Sequence, residues 1–193
     1  MRRAIGIPGR LFRYVLYAYF KFDKWHIHTR YDRKYPDDII RYLNSKPARN
    51  RKNVVEIGCG LGDILRNLNY DSRTGYDIER NALKAAEFLS KLTFNKIEFG
   101  WFEFPNSTLT GVFDTIIMVN WIHHIPSPLL KSKIEEYFAS NLAAGGEIVI
   151  DTVHHSGYKI NHSIDIIVSG LNCSLITVGK DINGREVFAI TKS

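Results

Sequence analysis

Residues 54–63 read Val54-Val55-Glu56-Ile57-Gly58-Cys59-Gly60-Leu61-Gly62-Asp63. A short apolar run ends in an acid, and three glycines follow at alternate positions. Twenty-one residues after Glu56 stands a second acid, Asp77, closing Thr74-Gly75-Tyr76-Asp77. Glycine lacks Cβ, so it takes positive φ and lets a ligand approach the backbone. The pattern predicts a strand, a tight turn under a ligand, a helix, and a second strand whose last carboxylate meets a ribose.

The spacing separates two kinds of nucleoside cofactor. In G-x-G-x-x-G the pyrophosphate of a dinucleotide rests on a helix N-terminus. Gly58 and Gly60 fit that fingerprint, but its third position is Asp63, and the third glycine is Gly62. A carboxylate suits the positive end of a helix dipole and competes with a pyrophosphate for it. A phosphate-free cofactor carrying a sulfonium and an ammonium is compatible with both Asp63 and Glu56.

Outward from this stretch the chain alternates. Strands are expected over 53–57, up to Asp77, over 96–99, over 114–119 and over 147–151. Helices are expected from about Asp63 through Leu68, through Leu83, Ala86, Phe88, Leu89 and Leu92, from Ser127-Pro128 to Leu142, and over 160–168. In the third of these Ser127 is the expected cap and Pro128 opens the first turn. Two last strands, over 174–179 and 186–191, flank Asp181-Ile182-Asn183-Gly184, whose Asn-Gly pair signals a hairpin. The expected fold class is α/β, a Rossmann-like, doubly wound, seven-stranded and mostly parallel sheet. Helices separate its first six strands, and a C-terminal antiparallel hairpin ends it.

Glu56-Ile57-Gly58-Cys59-Gly60-Leu61-Gly62 resembles the first motif of the class I S-adenosylmethionine-dependent methyltransferases. Asp77 matches that family's ribose-binding acid. Phe113-Asp114-Thr115-Ile116-Ile117-Met118-Val119-Asn120 resembles the fourth strand, and Trp121-Ile122-His123-His124-Ile125 the segment after it. Leu142-Ala143-Ala144-Gly145-Gly146-Glu147-Ile148-Val149-Ile150-Asp151 resembles the turn and fifth strand. The resemblance implies S-adenosyl-L-methionine as cofactor, held by Glu56, Gly58, Cys59, Gly60, Gly62, Asp77, Ile78 and Asn120. The family often places a Gly-Asp pair after the third strand, where Asp meets adenine. Here Gly100-Trp101-Phe102 stands instead, so Trp101 and Phe102 are the candidates for that contact, Trp101 by stacking.

The chain has 193 residues and a net charge of +6, the size of one domain. Residues 1–52 hold 14 Lys or Arg against 4 Asp or Glu, a net +10, and residues 53–193 are net −4. Two segments are expected: a basic helical or lid segment, 1–52, and a catalytic core, 53–193. The asymmetry suggests an anionic partner: nucleic acid, a membrane surface or a phosphorylated substrate. Leu11, Phe12, Val15, Leu16, Tyr19 and Phe20 repeat at helical spacing. This face is expected to pack over the cofactor pocket, or else to lie on a membrane surface. Trp25 and His26, in an aromatic and charged stretch, are candidate lid residues at the substrate. No stretch near the start is long enough to span a bilayer. Cys59 and Cys173 are the only cysteines, which fits a reducing, cytoplasmic location, with the inner membrane face as an alternative.

Methyl transfer from a sulfonium needs alignment, and an alcohol or phenol acceptor gains from a base. Histidines suit that role at neutral pH. His123, His124, His154 and His155 follow the fourth and fifth strands, whose carboxyl ends face the ligand crevice. His123 with His154 is the leading pair and His124 the next candidate, with Asp151 as an orienting acid instead. Adjacent histidines in an extended chain point apart, so no metal site is expected. The expected reaction is O-methylation of a small-molecule or saccharide acceptor, phosphorylated or lipid-linked in one version. The alternatives are an RNA methyltransferase using the basic arm, although no RNA-binding module is recognisable, and a cofactor-binding partner protein without turnover.

Overall fold

Four strand interiors carry apolar residues at both parities. In a strand, neighbours face opposite sides of the sheet, so such a run demands cover on both faces. The computed structural model shows that arrangement; it describes residues 2–155, 157–181 and 184–193, with side chains from Gly9 onward. The strands are β1 (Asn53–Ile57), β2 (Ser72–Asp77), β3 (Glu98–Trp101), β4 (Phe113–Met118), β5 (Leu142–Val153), β6 (Cys173–Lys180) and β7 (Arg185–Lys192). They form one sheet in the order β3-β2-β1-β4-β5-β7-β6. β7 is antiparallel to both its neighbours, and the other pairs are parallel. The order reverses between β1 and β4, the switch point where open α/β sheets bind ligands.

The α-helices are α1 (Arg2–Phe20), α2 (Tyr35–Asn44), α3 (Arg80–Leu92), α4 (Ser127–Ser140) and α5 (Ile164–Val168). Val55, Ile57, Ile116, Met118, Ile148, Ile150, Phe188 and Ile190 pack with Leu130, Ile134 and Tyr137 of α4 and Ile167 of α5. Their sequence neighbours Val54, Ile117, Val149, Val187 and Ala189 pack on the other face with Tyr35, Ile39 and Leu43 of α2. A boundary at 52/53 therefore runs through one hydrophobic core. α2 belongs to the sheet's helical layer, whereas α1 and the 3-10 turn Lys24–Ile27 form the cover of the site.

Several elements differ from the sequence-based expectation. No α-helix follows β1: the chain makes tight turns and a 3-10 turn, Leu65–Asn67. The Asn67 side-chain amide takes the Asp63 carbonyl at 2.8 Å, the partner a helical N–H would use, and the Asn67 backbone N–H closes on Ile64 instead. No α-helix separates β3 from β4 either, and β3 starts two residues later than expected. Ser127 is not a cap: it is already helical, and its hydroxyl lies 3.0 Å from Nδ1 of the buried His162. α5 is shorter than the expected 160–168. The hairpin strands pair as expected, but Ile182 and Asn183 of its turn lie outside the described residues.

The largest correction concerns α1. Leu16, Tyr17 and Phe20 face inward, in a cluster with Ala82, Ala85 and Leu89 of α3 and with Phe22, Ile27 and Leu61. Arg13 is buried beside them, and Leu11, Phe12, Val15 and Tyr19 are exposed. The apolar stripe is thus split: Leu16 and Phe20 turn inward on the side that the Arg13–Asp63 ion pair fixes against the core, and the other four residues turn outward.

Candidate active site

The turn after β1 is built on three glycines in the left-handed region, with φ of +77° at Gly58, +53° at Gly60 and +72° at Gly62. The N–H groups of Gly58 and Cys59 both donate to the Tyr76 carbonyl, at 2.7 and 2.9 Å. The buried Asp77 carboxylate accepts from the Gly60 N–H at 2.7 Å and the Glu79 N–H at 2.9 Å. A carboxylate accepts about four hydrogen bonds, so Asp77 retains capacity for a ligand's hydroxyls while it holds the turn. At Gly58 a Cβ would collide with the Trp121 indole, whose N–H donates to the Ile57 carbonyl at 2.6 Å.

Glu56 ends on the floor of this turn, 4% exposed. Its Oε2 has no hydrogen-bond partner among the described residues. Burial, then the charges of Asp63 and Asp77, push its carboxyl well above the usual range. An unpartnered buried carboxyl oxygen is costly, and a cationic ligand would satisfy it. Asp63 behaves differently from expectation. It is no helix cap; it lies between the guanidiniums of Arg13 and Arg66. Its charge is compensated inside the protein, whereas Glu56 keeps an unpartnered oxygen among the described residues.

A cavity of about 1110 Å³ opens over the carboxyl ends of the central strands. Glu56, Gly58, Cys59, Gly60, Asp77 and Ile78 line it, and so do Phe102, Asn120 and His124. Gly62 lines no part of it and acts through turn geometry. Cys59 is a free, buried thiol whose pKa burial pushes well above the usual value. Trp101 is corrected: it is the last residue of β3, paired with Asp77, and lies off the cavity. Its indole N–H is taken by the Ile78 carbonyl at 3.0 Å. Phe102, buried against Tyr76 with ring centroids 5.3 Å apart, supplies the aromatic wall instead.

Trp25 and His26 also line the cavity. His26 Nε2 lies 3.0 Å from Glu79 Oε2, and the Asp23 N–H donates to Glu79 Oε1 at 2.8 Å. A Cβ at Gly60 would fall 2.8 Å from His26 Nδ1. Arg13 donates to the His26 carbonyl at 3.2 Å as well as pairing with Asp63. The cover is thus bolted down at two acids, Asp63 at the exit of the glycine turn and Glu79 between β2 and α3, and neither link has a local sequence signal.

The histidines divide. His123 is fully buried, away from the cavity, with Nε2 3.3 Å from Asp151 Oδ2 and its ring 4.8 Å from that of Tyr158. Burial, helped by the Arg185 charge, pushes its pKa down to about 4. It is a neutral packing residue, which corrects its placement as the leading base. His154 is exposed and also off the cavity. His124 and His155 are the histidines after β4 and β5 that line it. Asp151 is an orienting acid, though for backbone rather than imidazole. Its Oδ1 accepts the Asn120 N–H at 2.8 Å, and its Oδ2 pairs with Arg185. Asn120 thereby holds φ of +73°. Arg185 also donates to the Tyr158 hydroxyl at 2.8 Å. Among the described residues no group of three metal-ligating side chains occurs.

His123 gives a stability prediction. Its folded pKa of about 4 lies below the ordinary imidazole value of 6.5. Between these values the unfolded chain binds a proton that the folded chain does not. Stability is therefore lost as pH falls from 6.5 towards 4, by roughly 3 kcal/mol. Urea unfolding at pH 7.5 and 4.5 checks this: His123→Gln should show that much less acid sensitivity than the wild type.

Residues 27–167 match the family model for a methyltransferase domain, and the chain belongs to that family, whose class I donor is S-adenosylmethionine. An uncharacterized methyltransferase of Anoxybacillus flavithermus (strain DSM 21510 / WK1) is 30% identical over 125 residues, 62% of this chain. The match spans 57% of that relative's length. Magnesium protoporphyrin IX methyltransferase from Synechocystis PCC 6803, solved with S-adenosylmethionine, superposes with a TM-score of 0.71. That match has 15% identity and covers 93% of this chain and 91% of the other. The N-methyltransferase NodS of Bradyrhizobium japonicum WM9, solved with S-adenosyl-L-homocysteine, gives 0.70 at 18% identity over 92% and 96%. An amino pentose methyltransferase from Micromonospora echinaspora gives 0.63 at 13% identity over 93% and 96%. At such identities the likeness establishes a shared fold.

Proposed function

We propose that the protein transfers a methyl group from S-adenosylmethionine to a hydroxyl of a small-molecule or saccharide acceptor. One observation carries the reading: a single cavity joins the glycine turn, with its unpartnered Glu56 oxygen, to His124 and His155. When bound, the cofactor supplies a methyl on a sulfonium. Glu56 would take its ammonium, Asp77 its ribose hydroxyls, and Phe102 with Ile78 the flat face of its base. Asp151 fixes the Asn120 backbone beside it. The cover from Trp25 to Tyr35 excludes water and holds the acceptor, which is orientation work. His124 accepts the hydroxyl proton. The solved relatives act on chemically different acceptors, so the acceptor is read from this chain's own cavity.

Incubation with methyl-labelled cofactor and a panel of hydroxyl and amine acceptors tests the reading. The expected product is an ether, with kcat lowered in His124→Gln and cofactor affinity intact. Label on nitrogen, or an unaffected kcat, contradicts it. An RNA acceptor would draw on the basic arm, but Arg13 is spent on Asp63 and Arg10 on Asp32. Cofactor binding without turnover is the remaining alternative, and the same assay separates it.

A second observation favours work at a membrane surface. Leu11, Val15 and Tyr19 are 68%, 59% and 79% exposed, on a helix whose Phe20 stacks on Phe88 of α3. Phe88 and Leu92 of α3, and Phe94 just after it, are exposed too. Lys21, Lys84 and Lys91 flank them and form no ion pair with a described residue. Apolar and aromatic side chains beside lysines suit the headgroup layer of an anionic bilayer. No helix among the described residues is long and apolar enough to cross a membrane. Co-sedimentation with phosphatidylglycerol vesicles should be lost on joint replacement of Leu11, Val15 and Tyr19 by serine. Absent sedimentation of the intact chain contradicts the location.

A further inference from the structure

The charges lining the cavity are unevenly compensated. Asp63 is met by Arg13 and Arg66, Asp77 by two backbone N–H groups, Glu79 by the Asp23 N–H and Asp23 by the Trp25 N–H. Glu56 is the unmet acid. Arg33 is its counterpart among the cations, since it forms no ion pair with any described carboxylate. Its Nη1 donates to the Tyr35 hydroxyl at 3.2 Å, and its guanidinium stands 4.5 Å over the Trp25 ring.

These contacts continue as a row. Arg185 stands 4.9 Å over the Tyr35 ring and 5.7 Å from that of Tyr158. Trp25, Arg33, Tyr35 and Tyr158 line the cavity, and the buried Arg185 links the Tyr35 and Tyr158 rings, so aromatic and guanidinium groups alternate along the row. Arg185 is neutralised by Asp151, so the surplus charge of the row sits on Arg33. The neighbours register it: Arg33 acts as a like charge on both His28 and Arg185. The aromatic ring under a guanidinium holds it in place without satisfying its in-plane donors. Trp25 lines the cavity and is 49% exposed, which puts this pair at its mouth.

We infer that Arg33 selects the acceptor by binding an anionic group on it, a carboxylate or a phosphate, beside the stacking faces of Trp25 and Tyr158. A guanidinium fork suits either anion, two parallel hydrogen bonds at a time. The inference rests on the acceptor occupying this cavity, as proposed above, but it does not need the methylated atom to be oxygen. Uncompensated charge at the mouth draws anionic molecules in and repels cationic ones, which is selection at the entry step.

Calorimetry on the full chain saturated with S-adenosyl-L-homocysteine tests it, with benzoate, phenyl phosphate and neutral benzyl alcohol as probes. The expected result is that one of the two anions binds at least tenfold more tightly than benzyl alcohol, and which one does so names the acceptor's anion. Arg33→Gln should abolish that preference, and Arg33→Lys should keep part of it. S-adenosyl-L-homocysteine affinity should stay within about twofold in both variants, which also reports that they fold. Equal affinity for charged and neutral probes, or an undiminished preference in Arg33→Gln, overturns the inference. So does a tenfold loss of S-adenosyl-L-homocysteine affinity in Arg33→Gln, which assigns Arg33 to the cofactor's own carboxylate. Anion preference in a chain that methylates only amines retains the inference and removes the hydroxyl reading.

Discussion

Replacing Asp151 by Ala should destabilise the protein by about 3–5 kcal/mol, because it strands the Arg185 guanidinium in the interior. Asp151 is fully buried and Arg185 only 8% exposed. Removing one partner of such a pair leaves an uncompensated charge in low dielectric, and domains of this kind have only about 5–15 kcal/mol in total. The carboxylate has a second duty, since its Oδ1 holds the Asn120 N–H with Asn120 at φ +73°. Asp151→Ala should therefore show both a large fall in the urea midpoint and a weakened cofactor site. The double variant Asp151→Ala/Arg185→Met should regain most of the stability, because no charge remains to be compensated. It should not regain cofactor affinity, because the Asn120 hydrogen bond is still missing. Equal stability of Asp151→Ala and the wild type would contradict the buried-pair account.

The second large effect falls on the cofactor alone. Asp77→Ala should weaken S-adenosylmethionine binding at least about a hundredfold, the scale of two hydrogen bonds to a charged acceptor. The same substitution frees the Gly60 and Glu79 N–H groups, which loosens the turn and the cover anchored on Glu79. Asp77→Asn should be milder, since its amide oxygen still accepts from one N–H. Calorimetric titration of the two variants gives the ranking, and an Asp77→Ala affinity within a few-fold of wild type would rule out the ribose role.

What was legible in the sequence is what depends on local period and on residue type. Apolar runs at both parities in β4 and β5 announced a sheet covered on both faces, and Gly58, Gly60 and Gly62 announced a left-handed turn. Asp77 stood at the end of its strand as its position implied. What was not legible depends on register and on distant charge pairs. Arg185 reaches Asp151 only because β7 pairs antiparallel with β5, setting Val153 opposite Arg185 and Asp151 opposite Val187. Nothing in either segment alone specifies that alignment. The two-residue shift of β3 made Trp101 a strand residue with its indole N–H engaged, so the aromatic wall passed to Phe102.

The split of the apolar stripe of α1 has a similar cause. Period identifies an amphipathic helix but not which face is buried once a charge has a buried partner. Arg13 reaches Asp63, 50 residues away in the chain, and that pair turns Leu11, Val15 and Tyr19 outward. The histidines followed the same rule. All four follow strand ends that face the crevice, yet the 3-10 turn Ile122–His124 buries His123 and presents His124.

The central claim is that this cavity holds an S-adenosyl cofactor by Glu56 and Asp77. Titration calorimetry of the intact chain with S-adenosylmethionine, S-adenosyl-L-homocysteine and NAD tests it most directly. Saturable one-to-one binding of the first two and none of NAD is the predicted result. Binding of NAD in their place, or no heat with either S-adenosyl compound, would contradict it.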